Sequence, residues 1–182
     1  MEKGNQRVLL TKQLLQNALL RLLQKQSIDK IYVKELCAEA GINRSTFYRY
    51  YNLPKDILLE IENELLCKMS VAKVFKTKND VRMYLQSTFE YLFDNADLLQ
   101  LLLKNSSADD FEMLMQNFAN SLMEMEPYAK LDPAKVGLIS SYIGGGGFYA
   151  VRRWLKDGIS VSPTELTDFT MDVLFRYITS IT

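Results

Sequence analysis

The 182-residue sequence predicts an all-α protein, a small three-helix N-terminal domain followed by a larger helical body. Three observations carry this. Helix breakers are scarce, with 8 Gly and 4 Pro in the whole chain. Apolar residues recur at three- and four-residue spacings between well-placed capping residues. No stretch of useful length alternates apolar and polar residues as a half-buried strand does.

From the N-terminus, Leu10–Leu23 reads as an amphipathic helix, with Leu10, Leu14, Ala18 and Leu22 in one stripe and Leu15 and Leu19 beside it. Gln26–Ile31 is a polar break. Val33–Ala40 is a short helix, with Leu36, Cys37 and Ala40 on one side and Lys34, Glu35 and Glu39 on the other. Gly41 stops it, because glycine accepts the left-handed conformation of a sharp helix end. Asn43 then suits the cap of a second short helix, Arg44–Tyr50. Pro54 suits the first turn of the next helix, where a missing N–H costs nothing, and that helix is expected to reach about Lys73.

The rest of the chain reads as a series of capped helices. Asn79 or Asp80 starts one, with Val81, Tyr84, Leu85, Thr88, Leu92 and Phe93 as its apolar stripe. Ser107, with Asp110 three residues on, opens another. Asp132-Pro133 opens a long helix through Trp154. Ser162-Pro163-Thr164-Glu165 opens the last, whose stripe is Leu166, Phe169, Val173, Leu174, Tyr177 and Ile181. About nine helices are expected. Gly144–Gly147 falls inside the long helix, where four glycines cost roughly 3–4 kcal/mol against alanine. Close approach of two backbones at a subunit interface, room for a ligand, and a kink or loop that splits the helix are all open readings of it.

The charge balance is zero overall but not along the chain. Residues 1–55 hold ten Lys/Arg and four Asp/Glu, a net +6, and residues 56–182 hold twelve and eighteen, a net −6. A basic head on an acidic body is expected where one end meets phosphate. The chain has no His, which removes His-based acid–base pairs and the commonest metal ligand. Cys37 and Cys67 have no partner at metal-ligand spacing, and the glycine run lacks the Lys-Ser/Thr that follows in a phosphate-binding loop. The expectation is a non-enzyme without metal or cofactor. The start, MEKGNQRVLL, has no long apolar core, and no run approaches 18 apolar residues. A cytoplasmic protein without a membrane partner is expected.

The informative stretch is VKELCAEAGINRSTFYRYYNLPK, residues 33–55. Two short helices separated by a Gly-Ile-Asn turn match a helix-turn-helix, whose second helix enters the major groove of double-stranded DNA. Arg44, Ser45 and Thr46 start that helix, at the end that reaches base edges. Tyr48, Arg49 and Tyr50 offer donors to phosphates. Phe47 and Tyr51, four apart, face inward.

With these residues the chain resembles the TetR family of bacterial regulators. The resemblance lies in Lys34-Glu35-Leu36, Ala40-Gly41-Ile42, Ser45-Thr46-Phe47-Tyr48-Arg49-Tyr50-Tyr51 and Lys55-Asp56-Ile57-Leu58, and covers about residues 8–68. It implies a helix-turn-helix DNA-binding domain over 1–55 and a regulatory, dimerising domain over 56–182. By position it implies DNA contacts from Thr11, Val33, Lys34, Arg44, Ser45, Thr46, Tyr48, Arg49 and Tyr50. The chain departs from the family at Tyr32, where Thr is usual, and at Pro54, where Lys is frequent. The second departure moves a phosphate contact to Lys55 or to the helix N-terminus.

The resemblance further implies a homodimeric repressor on a palindromic operator, released by a small-molecule effector. The dimer would use the last two long helices, through Gly144, Gly145, Phe148, Val151, Phe169, Val173 and Tyr177. An apolar effector would meet Phe89, Phe93, Phe111, Met115, Phe118 and Phe148, residues that serve equally as ordinary core. Competing readings are an activator answering a ligand or a redox change at Cys37 or Cys67, and a helical interaction module without DNA binding. Lys34, Arg44 and Arg49 speak against the module.

Overall fold

The computed structural model describes residues 2–69, 75–105, 109–126, 128–157 and 160–177. The helices are α1 (Glu2–Leu23), α2 (Val33–Ala40), α3 (Arg44–Phe47), α4 (Pro54–Met69), α5 (Lys78–Asp94), α6 (Ala96–Asn105), α7 (Asp109–Met123), α8 (Pro133–Lys156) and α9 (Pro163–Asp172). No strand occurs among the described residues. Two compact units emerge: Met1–Lys68 with Leu101–Ser106, and Met69–Gln100 with Ser107–Thr182. The expected cap at Ser107, the helix end near Lys73, Ile181 and the side chain of Tyr177 lie outside the described residues.

In the first unit α1 starts eight residues before the expected Leu10. Its buried face runs through Leu15, Ala18, Leu19, Leu22 and Leu23, while Leu10 and Leu14 are exposed. The expected stripe is therefore rotated, because Leu15, Leu19 and Leu22 hold the centre of the apolar arc and Leu10 and Leu14 its edge. α1 packs on α2, and Leu36, Phe47, Ile57 and Leu58 are buried in the same unit. Gly41 ends α2 at φ 66°, and the Ile42 N–H donates to the Cys37 carbonyl at 3.0 Å. Asn43 holds the cap position of α3 through its backbone only; its carbonyl accepts from Thr46 and Phe47, and its side chain makes no cap bond. Tyr32 likewise starts α2 without a side-chain cap. α3 is α-helical to Phe47 rather than Tyr50, and the chain then tightens, with Tyr50 N–H donating to the Phe47 carbonyl at 2.9 Å.

In the second unit Thr77 caps α5, two residues earlier than expected, and Asp80 closes the capping box from inside the helix. α5 buries Val81, Leu85, Phe89 and Leu92, while Phe93 turns outward at 46% exposure. The sequence reading did not single out α6. Only Asn95 separates it from α5, with no Gly or Pro to mark a break. α7 packs on α8 through Phe111 against Phe148 and through a polar cluster, in which Gln116 donates to Ser140 Oγ at 2.7 Å and Ser140 to Asn120 at 2.5 Å. α5 packs on α9, with an Arg82–Asp168 ion pair at 2.7 Å. The Ser162–Glu165 capping box starts α9 as expected, and a π-turn, Val173–Tyr177, follows it.

α8 is helical through all four glycines, so they do not split the helix. A Cβ on Gly144 would lie 2.5 Å from Gln116 Oε1 and 3.1 Å from Gln116 Cα. Close backbone approach therefore exists, but between α7 and α8 of one chain.

Candidate nucleic-acid interface and internal cavity

α2, the Gly41 turn and α3 present two faces. Leu36, Cys37, Phe47 and Tyr51 point into the core of the first unit. The Phe47 ring meets Tyr48 edge-on at 5.3 Å and Tyr51 at 5.9 Å between centroids, which ties the helix to its support. Burial pushes the Cys37 thiol up from its ordinary value despite the opposing charge of Arg44. A thiol held protonated in this way is a poor nucleophile, which counts against a redox role for Cys37.

The opposite face carries the charge. Lys34, Arg44, Ser45, Tyr48, Arg49 and Lys55 are exposed, and Val33, Thr46 and Tyr50 are half-buried. The acidic neighbours are engaged elsewhere in the unit: Glu39 pairs with Arg21 at 2.5 Å and Glu35 accepts from Gln26 at 2.9 Å. No ion pair occupies Lys34, Arg44, Arg49 or Lys55 among the described residues. Pro54 opens α4, and the Asp56 carboxylate accepts from the Asn52 and Leu53 N–H groups at 2.7 and 2.9 Å. Thr11 stands apart from the other expected contacts. It is only 9% exposed, and its hydroxyl donates to the Arg7 carbonyl at 2.8 Å.

The second unit holds a cavity of about 350 Å³ among α5, α7, α8 and α9. Of the expected ligand residues, Phe89, Met115 and Phe118 line it; Phe93, Phe111 and Phe148 do not. Phe111 and Phe148 are instead paired in the α7–α8 core, 5.9 Å apart. Tyr84 and Thr88, not expected at a ligand site, also line it, as do Gly146 and Gly147, for which room for a ligand was one of the open readings. The first two had been placed on the apolar stripe of α5, so their helical phase was the available signal.

Residues 79–176, over half the chain, match the profile of the family TetR_C_8, described as "Transcriptional regulator C-terminal region". The chain belongs to the TetR family of transcriptional regulators. No curated protein matches it by sequence. Among solved structures it is similar to a TetR transcriptional regulator from Streptococcus agalactiae 2603V, with TM-score 0.66, 20% identity, and 95% of this chain and 98% of that one covered. It is also similar to the dihydroxyacetone kinase operon activator DhaS, with TM-score 0.63, 17% identity and coverage of 93% and 97%. A third similar structure is the fatty acid degradation regulator FadR from Bacillus halodurans, with TM-score 0.59, 17% identity and coverage of 90% and 94%. These likenesses show a shared fold over nearly the whole of each chain.

In this TetR-family chain the residues expected at a dimer interface divide between two environments. Gly144, Phe148 and Val151 are buried inside their own unit. Gly145 and Val173 are half-buried, and Phe169 is 61% exposed. α8 also presents Leu138, Tyr142 and Tyr149, each at least 66% exposed, with Tyr142 also among the residues lining the cavity. Their spacings of four and seven put them on one stripe, a second apolar face that the first had masked in the sequence.

Proposed function

We propose that this TetR-family chain is a sequence-specific DNA-binding repressor that acts as a homodimer on a palindromic operator and is released by an apolar small molecule. Residues 1–55 are assigned the DNA-binding role and residues 56–182 the sensing and dimerising role. The observation that carries the DNA reading is the exposed set Lys34, Arg44, Arg49 and Lys55, which forms no ion pair among the described residues while Glu39 is held by Arg21. Unpaired cations beside a helix-turn-helix are suited to phosphates and guanine edges. Val33, Ser45, Thr46, Tyr48 and Tyr50 complete the contact surface. Thr11 is assigned a supporting place behind it, since its hydroxyl is already bonded.

One recognition helix per chain reads only a half-site, so a two-fold dimer is assigned, with half-sites one helical turn, roughly 34–36 Å, apart. Selection of bound sequences from random double-stranded DNA tests the proposal. A palindromic motif is expected; failure to enrich any motif would refute sequence-specific binding, and a non-repeated motif would refute the symmetric dimer.

A further inference from the structure

The cavity and the glycine run meet at one wall. Gly144 is explained by its close approach to Gln116. Gly146 and Gly147 are not: a Cβ on either would meet no atom within 4 Å, and both line the cavity. Inside a continuous helix each lowers helix propensity relative to alanine. No tight contact among the described residues accounts for that. Their effect is to leave a strip of α8 bare, so the cavity reaches the helix backbone.

The chemistry of the wall is uniform. None of the eighteen lining residues is charged. Its hydroxyls are largely engaged: Tyr84 donates to the Met69 carbonyl at 2.8 Å, Thr170 to the Leu166 carbonyl at 2.7 Å, and Thr88 bonds with Tyr84. A ligand hydroxyl can share an oxygen lone pair here. An ionised head group finds no counter-charge among the described lining residues, and burying an unpaired charge is strongly unfavourable. At about 350 Å³ the space is near the lower end of small-molecule sites.

We infer that the cavity binds an uncharged, predominantly hydrocarbon molecule lying against α8 at Gly146 and Gly147, and that these two glycines set the size of ligand admitted. The inference deepens the effector reading above and rests on the second unit being the sensing part.

Titration calorimetry on the full chain without DNA tests it, with 1-decanol, decanoate and decylammonium at pH 7 as probes of equal chain length. 1-Decanol is expected to bind at least tenfold more tightly than either ion. Gly147→Leu should weaken 1-decanol at least tenfold. The milder double variant Gly146→Ala, Gly147→Ala, with two better helix formers, should weaken it about threefold, with helicity by circular dichroism confirming that it folds. An ion that binds as well as the alcohol, no binding of the alcohol, or unchanged affinity in the folded double variant would each overturn the inference. Operator binding is measured separately by anisotropy. Its loss with alcohol binding intact counts against the regulator reading alone, and intact operator binding without alcohol binding counts against this inference alone.

Discussion

Arg44 and Lys34 are both exposed cations beside the helix-turn-helix, yet they should behave differently when removed. Arg44 opens α3, where a guanidinium can reach two acceptors on a guanine edge. Arg44→Ala is expected to cost about 1–3 kcal/mol of operator binding and to relax sequence preference at one position. Lys34, on α2, is the proposed phosphate contact. Lys34→Ala should weaken binding to every sequence alike and flatten the slope of log affinity against log salt by about 1 per head. Anisotropy titrations at several salt concentrations, on operator and scrambled DNA, separate the two; equal loss on both DNAs for Arg44→Ala would remove it from base reading. Much of this face was legible in the sequence. The helical repeat alone puts Phe47 and Tyr51 inward and Ser45, Tyr48 and Arg49 outward. Thr11 was not legible, because its hydroxyl is taken by a carbonyl one turn earlier, a choice that spacing does not reveal.

Helix ends and helix interiors make separate predictions. At Gly41, φ is 66° and a Cβ would meet nothing within 4 Å, so a substitution there is penalised by backbone conformation and not by crowding. Gly41→Ala should destabilise the fold by about 1 kcal/mol in denaturant titration, and Gly41→Asn by less. At the start of α9, Ser162→Ala removes a cap and should cost about 1 kcal/mol at pH 7. Hydrogen bonds from the Ser162 hydroxyl and N–H hold the Glu165 carboxyl below its ordinary value of 4.5. A carboxyl lowered in the folded state stabilises above its unfolded pKa, and that contribution fades as pH falls through the folded value. The gap in stability between wild type and Glu165→Gln should therefore be full at neutral pH and narrow below about 4.5. A gap that stays constant from pH 7 to pH 3 would show that the carboxylate does not contribute. This capping box was legible because its four residues are contiguous. The α5 cap was misplaced by two residues because Thr77, Asn79 and Asp80 are all good capping types, and only the paired bonds between Thr77 and Asp80 choose among them. The glycine run was the least legible element. A helix interior with four glycines is locally unfavourable, and packing against Gln116 explains just one of them.

At the scale of the whole molecule, a zero net charge conceals +6 over residues 1–55 and −6 over residues 56–182. A +6 segment per chain is doubled in a dimer, so operator affinity should fall steeply with salt if two heads bind together. We place the proposed pairing on the α8 face with Leu138 and Tyr142, at 74% and 76% exposure, because both are large side chains left mostly open to solvent among the described residues, Tyr142 also edging the cavity. The sequence hid this face, since α8 is apolar on two sides and periodicity alone favoured the inner residues Phe148 and Val151. Replacing both outer residues, Leu138→Glu with Tyr142→Glu, puts like charges opposite each other across a two-fold axis. The dimer dissociation constant should rise at least a hundredfold, about 2.7 kcal/mol, as read by sedimentation velocity from nanomolar to micromolar concentration. Operator affinity should fall with it, and the salt slope should drop toward that of one head, while circular dichroism stays that of a folded chain. Phe148 provides the contrast: Phe148→Ala empties a core position beside Phe111 and should lower the melting temperature before it alters association. If the double glutamate variant remains a dimer at nanomolar concentration, the α8 stripe is not the interface, and the exposed face around Phe169 on α9 becomes the surface to test.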